Sequence, residues 1–144
     1  WGLAQSLAIR LLAMLHLGFV WLGLGLSIDG LGQIWAWIGG APVTPLAALH
    51  ATTMGFLGSL MLAMVTRVAC GHGGRALVAD RLSWSAFLLL QLATLLRIAA
   101  ALAPPAWVGG LTAATAGLWL LAVGPWGLRL LRWYGQPRPD GRPG

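Results

Sequence analysis

Four long runs of apolar residues dominate the sequence and leave few folds open to it. They cover approximately residues 4–27, 44–68, 82–102 and 107–131. Each is near the roughly 20 residues that a helix needs to cross the hydrocarbon core of a bilayer. Because a backbone in lipid has to satisfy its own hydrogen bonds, such runs form helices. The sequence therefore predicts an all-α fold, a polytopic bundle with four transmembrane spans.

The composition supports this prediction. Hydrophobic residues make up 58% of the chain and charged residues only 8%, whereas a soluble domain carries about 25% charged residues. A water-soluble fold of this length could not bury so much apolar surface. The net charge of +6 comes from arginines at the ends of the apolar runs rather than in one patch. We therefore expect the lipid bilayer as partner and no nucleic acid.

The arginines also predict an orientation. The connection over residues 67–81 carries three of them, and the tail over residues 132–144 is basic and rich in Pro and Gly. Positive residues favour the cytoplasmic side of a membrane, so both segments are expected there. The chain also begins at Trp1, without an initiator methionine. We interpret residues 1–131 as a four-helix bundle from a larger multi-span domain, followed by a cytoplasmic tail.

The second apolar run holds the first candidate site. At about 100° per residue, four side chains that suit soft metals or haem share one wedge of the predicted helix. They are His50, Met54, Met61 and Met64. An ionisable group inside a span indicates function, and imidazole ligates haem iron, copper or zinc. The alternatives are a hydrogen-bonded structural histidine and methionines that only fill the bundle core.

A second face of the same run predicts close helix packing. Small residues recur there at every fourth position: Ala47, Ala51, Gly55, Ser59 and Ala63. Such a ladder lets a neighbouring helix approach without lipid between the two backbones. The second helix is therefore expected to lie inside the bundle.

Other candidate residues lie on the first and third runs. His16 is deep in the first run, and Gly23 on its face offers room for a flat macrocycle or a packing notch. His16 and His50 are expected to differ in depth by about 8 Å. Arg97 lies inside the third run, so it either snorkels or pairs with an anion such as a haem propionate or Asp29.

The turn GHGGR, residues 71–75, is the last candidate. Its glycines allow close backbone approach, so His72 and Arg75 could bind a propionate, a phosphate or a metal. An ordinary turn between two helices explains the same residues. The chain has no Glu, no Asp in mid-span and no HExxH motif. A carboxylate proton relay, a paired-carboxylate site and an HExxH metal site are therefore excluded. A lone Cys70 allows neither an internal disulfide nor a CxxCH haem attachment.

Several segments resemble one protein family, NnrS. They are HLGFVWLGLGL (16–26), ALHATTMGFLGSLMLAMVTR (48–67), GHGGR (71–75) and RPDGRPG (138–144). NnrS proteins are multi-pass proteins of the bacterial inner membrane that contain haem and copper. They are associated with the nitric oxide response in denitrifying bacteria, and the resemblance covers about the C-terminal third of the family. Five residues occupy the family's motif positions: His16, His50, His72, Arg67 and Arg75. The family's turn reads closer to GHTGR, so Gly73 departs from it.

The resemblance implies haem and copper as cofactors, nitric oxide as a ligand, and the remaining helices of the full-length protein as partners. Our hypothesis places His16 and His50 first as ligands, with Met54 and Met61 lining the site. His72, Arg75 and Arg97 follow, as a further ligand and as charge partners. Three alternatives stay open: a haem-bearing subunit of a quinol or respiratory oxidoreductase, a copper-handling membrane protein, and a structural module with incidental histidines. Whether the protein is an enzyme is also open.

Overall fold

Helices make up nearly all of the protein. The computed structural model describes residues 3–41 and 45–141. It contains a short helix α1 (Leu3–Ala8) and four long helices, α2 (Arg10–Trp37), α3 (Leu46–His72), α4 (Arg81–Leu102) and α5 (Pro105–Tyr134). The four long helices are each long and apolar enough to cross a membrane, and no strand occurs in the described ranges. The predicted all-α bundle with four spans is confirmed.

Three helices extend further than the sequence predicted. Helix α2 continues ten residues beyond position 27, because nothing in that segment breaks a helix before Gly39, which has φ +89°. Helix α3 continues to His72, and the left-handed residue that turns the chain is Gly74, with φ +62°. Helix α5 runs to Tyr134. Residue 44, the predicted start of the second span, lies outside the described residues.

Consecutive helices pack side by side in alternating directions. Helix α3 packs between α2 and α4, and α5 packs along α4. The largest apolar cluster lies where α2, α3 and α4 meet, and it includes Met14, Leu62 and Phe87. We call the end where α2 and α4 begin and α3 and α5 end the arginine-rich end, because Arg10, Arg75, Arg81, Arg129 and Arg132 lie there.

Small residues set the close packing of α2 on α3. A methyl group at Gly25 would come within 2.5 Å of Thr52 Oγ1, and one at Gly18 within 3.2 Å of Ser59 Cβ. The ladder predicted on α3 is buried at all five positions, with Ala51 and Ser59 fully inaccessible. The packing face of the second span is therefore confirmed.

Candidate functional site

A π-helical segment interrupts α3 directly after His50. It covers Ala51–Leu57, and its turns are wider than those of an α-helix because π-helices use i→i+5 hydrogen bonds. Two hydroxyls reinforce its start: Thr52 donates to the Ala48 carbonyl at 3.0 Å and Thr53 to the Leu49 carbonyl at 2.8 Å. Such segments are rare and occur often at functional sites. The π segment therefore makes the part of α3 next to His50 a candidate functional site.

The π segment explains how the small-residue ladder stays on one face. Positions four residues apart drift by about 40° per step in an α-helix. The wider turn rotates the following residues back by roughly a quarter turn, which keeps the ladder straight. The same rotation moves the methionines that follow the π segment away from the helix face that carries His50. Met61 is 61% exposed and Met64 45% exposed, so the predicted common wedge with His50 is wrong for these two residues.

His50 carries a buried polar atom with no partner. Its Nε2 lies out of contact with solvent and has no hydrogen-bond partner in the described parts of the chain. The positive charge of Arg97 acts on the same imidazole. Buried polar atoms are almost always hydrogen-bonded, so this imidazole nitrogen makes His50 a candidate ligand.

Arg97 occupies the layer of His50 at the end opposite the arginine-rich one. Its Nη1 donates to Thr112 Oγ1 at 2.7 Å, which links α4 to α5. The predicted alternative partner, Asp29, accepts instead from Gln33 at 2.6 Å, and neither of the two ion pairs within the described ranges joins Asp29 to Arg97. Arg97 thus keeps most of its N–H donors for another acceptor.

An apolar groove lies on the inner side of this layer, between α3 and α5. Its volume is about 420 Å³. The residues that shape it are Thr53, Met54, Gly58, Met61, Trp119 and Trp126. Trp126 also donates to Thr66 Oγ1 at 2.9 Å, which ties the two helices together at the inner end of the groove. Met54 and Met61 therefore line one cavity, but His50 is not among its lining residues, and Met61 lies on a different helix face from His50.

A polar network that the sequence did not reveal holds the three central helices around the π segment. Trp21 Nε1 donates to Gln91 Oε1 at 2.6 Å, and Gln91 Nε2 donates to Ser59 Oγ at 3.0 Å. The indole of Trp21 also packs so tightly on Gly55 that a methyl group there would come within 2.5 Å of it. A lone Gln within an apolar run was the signal, because an amide in lipid needs partners.

His16 lies far from His50 along the bundle. Gly25 of α2 packs at the level of residues 48–52 of α3, which is the level of His50. Because His16 precedes Gly25 by nine residues on α2, the two histidines lie about 14 Å apart in depth. The expected offset of about 8 Å was wrong because α2 and α3 pack in a different register. Side chains tilt toward the N-terminus of their helix, so in antiparallel helices these two tilt away from each other.

The His16 imidazole is nevertheless oriented. Its Nδ1 lies 2.7 Å from the Leu12 carbonyl, and since a carbonyl only accepts, Nδ1 carries the proton. That leaves the Nε2 lone pair free, which is the arrangement usual in metal-bound histidines. Gly23 on the same face has open space, with nothing within 4 Å of an added methyl group.

His72 lies at the arginine-rich end, as the exposed last residue of α3. The three histidines therefore occupy three depths. Among residues 3–41 and 45–141, no three His, Cys, Asp or Glu side chains come together in a way that could hold a metal ion.

An ion pair joins α4 and α5 at the arginine-rich end. Asp80 caps α4 by accepting from the Ser83 N–H at 3.0 Å, and Arg129 of α5 donates to the same carboxylate. Burial pushes the pKa of Asp80 upward, but the Ser83 bonds and Arg129 outweigh it, so the pKa lies below its usual value. The carboxylate is thereby held ionised at neutral pH and fixes α4 to α5.

These features define a class: a helical membrane protein whose second span carries a π segment, an apolar groove, and a histidine whose Nε2 has no partner among the described residues. The sequence matches the profile of the NnrS protein family over residues 1–138. The chain belongs to the NnrS family, which confirms the expectation drawn from the sequence segments. Comparison with curated proteins and with solved structures gave no match.

Proposed function

We propose that the chain forms part of a haem- and copper-binding membrane protein of the nitric oxide response, with His50 as the principal haem ligand. The observation that carries this proposal is the buried Nε2 of His50, which has no hydrogen-bond partner in the described ranges. Leaving such an atom unpaired costs free energy. A metal ion bound to its lone pair removes that cost.

The groove next to the π segment suits a haem group, although Met54 lines it and His50 itself does not. The groove of about 420 Å³ is lined almost wholly by apolar and thioether side chains, which pack well against a macrocycle. Arg97 lies in the layer of His50 and offers donors to a propionate. The bound group would supply ferrous iron, which binds nitric oxide.

The chain's own residues would control access to the site. Trp119 and Trp126 flank the groove and keep water from it, and the Trp126–Thr66 bond closes its inner end. Met61 lies at the rim with more than half of its side chain exposed, so the groove opens at the surface of the bundle. An apolar gas dissolved in lipid can enter there.

Copper would occupy a second site. His16 is the ligand we assign to it, since its Nε2 is free and its face is open at Gly23. The other ligands would come from remaining helices of the full-length protein. His72 lies at a third depth, so it would serve neither of these two sites but a separate metal.

The proposed location is the bacterial inner membrane, with the arginine-rich end in the cytoplasm. Cysteine labelling tests this orientation. Cys70 is buried, so we would label Ala76→Cys, which lies in the exposed connection after α3, in a Cys70→Ala background. An impermeant reagent added from outside intact cells should not react with this cysteine, and reaction would reverse the orientation.

Haem content tests the assignment of His50. Purified wild type, His50→Ala, Arg97→Gln and His72→Ala would be compared by pyridine haemochrome assay and by metal analysis. We expect His50→Ala to keep roughly a tenth or less of the wild-type haem and Arg97→Gln an intermediate amount. His72→Ala removes an exposed imidazole of the same helix and should keep its haem. Copper without haem in the wild type would instead support a copper-handling protein.

A further inference from the structure

The tail after α5 takes no part in the proposed haem or copper chemistry, yet it has a defined fold. Its segment RPDG (138–141) has the order of Pro, Asp and Gly that is typical of a β-turn. The structure contains this turn: the Gly141 N–H donates to the Arg138 carbonyl at 3.2 Å, and Gly141 has φ +70°. The turn also pairs two side chains, because the Arg138 guanidinium donates to both carboxylate oxygens of Asp140, at 3.0 and 2.6 Å.

This β-turn lies on the GHGGR turn. The Asp140 carboxylate is in such close contact with Gly74 that a methyl group there would come within 2.7 Å of it. Gly74 also has φ +62°, so the position requires glycine for its backbone as well as for this contact. A second contact joins the same two segments, since Gln136 Oε1 accepts from Arg75 Nη2 at 2.9 Å. The tail therefore folds back onto the connection between α3 and α4.

Arg75 extends this contact to the end of α5. Its guanidinium stacks on Trp133, 4.4 Å from the ring centroid, and the guanidinium of Arg129 lies 4.7 Å from the same centroid. Such cation–π contacts are favourable at partly exposed sites. With Gln136 bound to its Nη2, Arg75 joins the GHGGR turn to both α5 and the tail.

Little apolar surface supports this docking of the tail. Over residues 135–141 every residue is exposed except the half-buried Arg138. A cavity of about 200 Å³ remains there, and its lining includes Gln136, Arg138 and His72. Segments with exposed polar contacts and little buried apolar surface open locally at a low cost in free energy. We therefore expect the tail to leave the turn while the helices stay folded.

Cys70 lies beneath the GHGGR turn and is only 3% exposed. Its carbonyl accepts from the Arg75 N–H at 2.8 Å, and the backbone of Val78, in the connection after the turn, hydrogen-bonds to its thiol. Both segments have to move before a water-soluble reagent can reach the sulfur. Because Cys70 is the only cysteine of the chain, its reaction rate reports how often the turn opens.

We propose that the tail is a latch on the GHGGR turn. In the docked state, the contact of Asp140 with Gly74 and the bond between Gln136 and Arg75 hold the turn closed over the thiol. In the released state, the turn and the connection after it open to water. Salt shifts the balance toward release, because it screens the ion pair of the docked β-turn. The proposal does not depend on the assignment of haem or copper.

The rate at which iodoacetamide alkylates Cys70 tests the latch, followed by mass spectrometry on the purified chain in detergent micelles. Removal of residues 136–144 deletes the latch and should raise the rate about tenfold. Asp140→Asn removes only the ion pair and should raise the rate about two- to fivefold. An increase in NaCl from about 0.05 M to about 1 M should accelerate the reaction of the wild type but not that of the truncated chain.

Matched variants separate the latch from general effects of charge and of glycine replacement. Arg132→Gln removes an arginine that is exposed on α5 and should change the rate less than about twofold. Gly74→Ala blocks the contact from the side of the turn and should open it. Gly71→Ala should not, because its methyl group would meet only Leu77, at 3.7 Å.

Thermal unfolding in the same micelles shows whether the opening is local. We expect Asp140→Asn to react faster at an unfolding temperature close to that of the wild type, and this variant carries the test where Gly74→Ala fails to fold. Equal alkylation rates in the wild type, the truncated chain and Asp140→Asn would overturn the proposal. An acceleration matched by a fall in unfolding temperature would also overturn it, because the whole bundle would then be opening.

Discussion

Trp21 and Gln91 are separated by 70 residues in the chain, yet the indole N–H of one donates to the amide oxygen of the other at 2.6 Å inside the bundle. Gln91 then donates to Ser59, which is fully buried on α3. One amide therefore joins α2, α3 and α4 at the level of the π segment. This network fixes the helix that carries His50.

Gln91→Leu should destabilise the protein by about 1–2 kcal/mol. The substitution leaves the Trp21 N–H and the Ser59 hydroxyl without their partner in an apolar environment. Gln33→Leu is the control, because Gln33 is exposed and bonds only within α2, to Asp29. Thermal unfolding in micelles measures both. Equal unfolding temperatures of the two variants would mean that the Trp21–Gln91–Ser59 network does not stabilise the bundle.

Gly25→Ala should be much more damaging than Gly23→Ala. The added methyl group at Gly25 meets Thr52 Oγ1 at 2.5 Å and the Ala48 carbonyl at 3.3 Å, whereas nothing lies within 4 Å at Gly23. We expect a loss of about 1–3 kcal/mol at Gly25 from overpacking and a change near zero at Gly23. If both variants unfold at the wild-type temperature, α2 and α3 do not pack as closely as described.

Deletion of Thr53 should convert the π segment into regular α-helix. One residue fewer and regular turns offset one another in rotation, so the α-helical turns before and after the deletion should keep their faces, while the widened turn next to His50 is lost. We expect stability close to that of the wild type and loss of bound haem. Deletion of Ala76, in the irregular connection after α3, serves as control. Retention of haem after Thr53 deletion would show that the π segment does not position His50.

The Asp80–Arg129 ion pair should make stability depend on acid pH. Because folding lowers the pKa of Asp80, its contribution is present above the unfolded value, near 3.9, and is lost as pH falls through the lower folded value. Asp80→Asn preserves the helix cap but not the charge. At pH 7 it should cost about 1 kcal/mol or less, since the Asp80 side chain is half exposed. The two proteins should converge as pH falls below the unfolded value and through the lower folded one; a difference that stays constant from pH 7 through this range would contradict the assignment.

The sequence predicted the spans and the packing face because both follow from residue size and polarity alone. The ladder at Ala47, Ala51, Gly55, Ser59 and Ala63 spans the π segment. Five small residues at a strict spacing of four drift by about 160° in a regular α-helix. Small residues at this spacing also pack regular α-helices, which cross at an angle along such a ridge, so the spacing alone did not predict the π segment.

The relative depth of the histidines could not be predicted, because it depends on helix register. That register is set by contacts such as Gly18 with Ser59 and Gly25 with Thr52, which join residues distant in sequence. The partner of Arg97 was missed for the same reason. Thr112 is an unremarkable residue until the α4–α5 hairpin brings it against the guanidinium.

The most direct test of the account is the dithionite-reduced minus oxidised absorbance spectrum of the purified protein and of His50→Gly, with and without added imidazole and nitric oxide. We expect haem bands in the wild type that shift on addition of nitric oxide. These bands should vanish in His50→Gly and return with imidazole, which replaces the missing ligand. Haem bands of full intensity in His50→Gly without imidazole would contradict the central claim that His50 is the ligand.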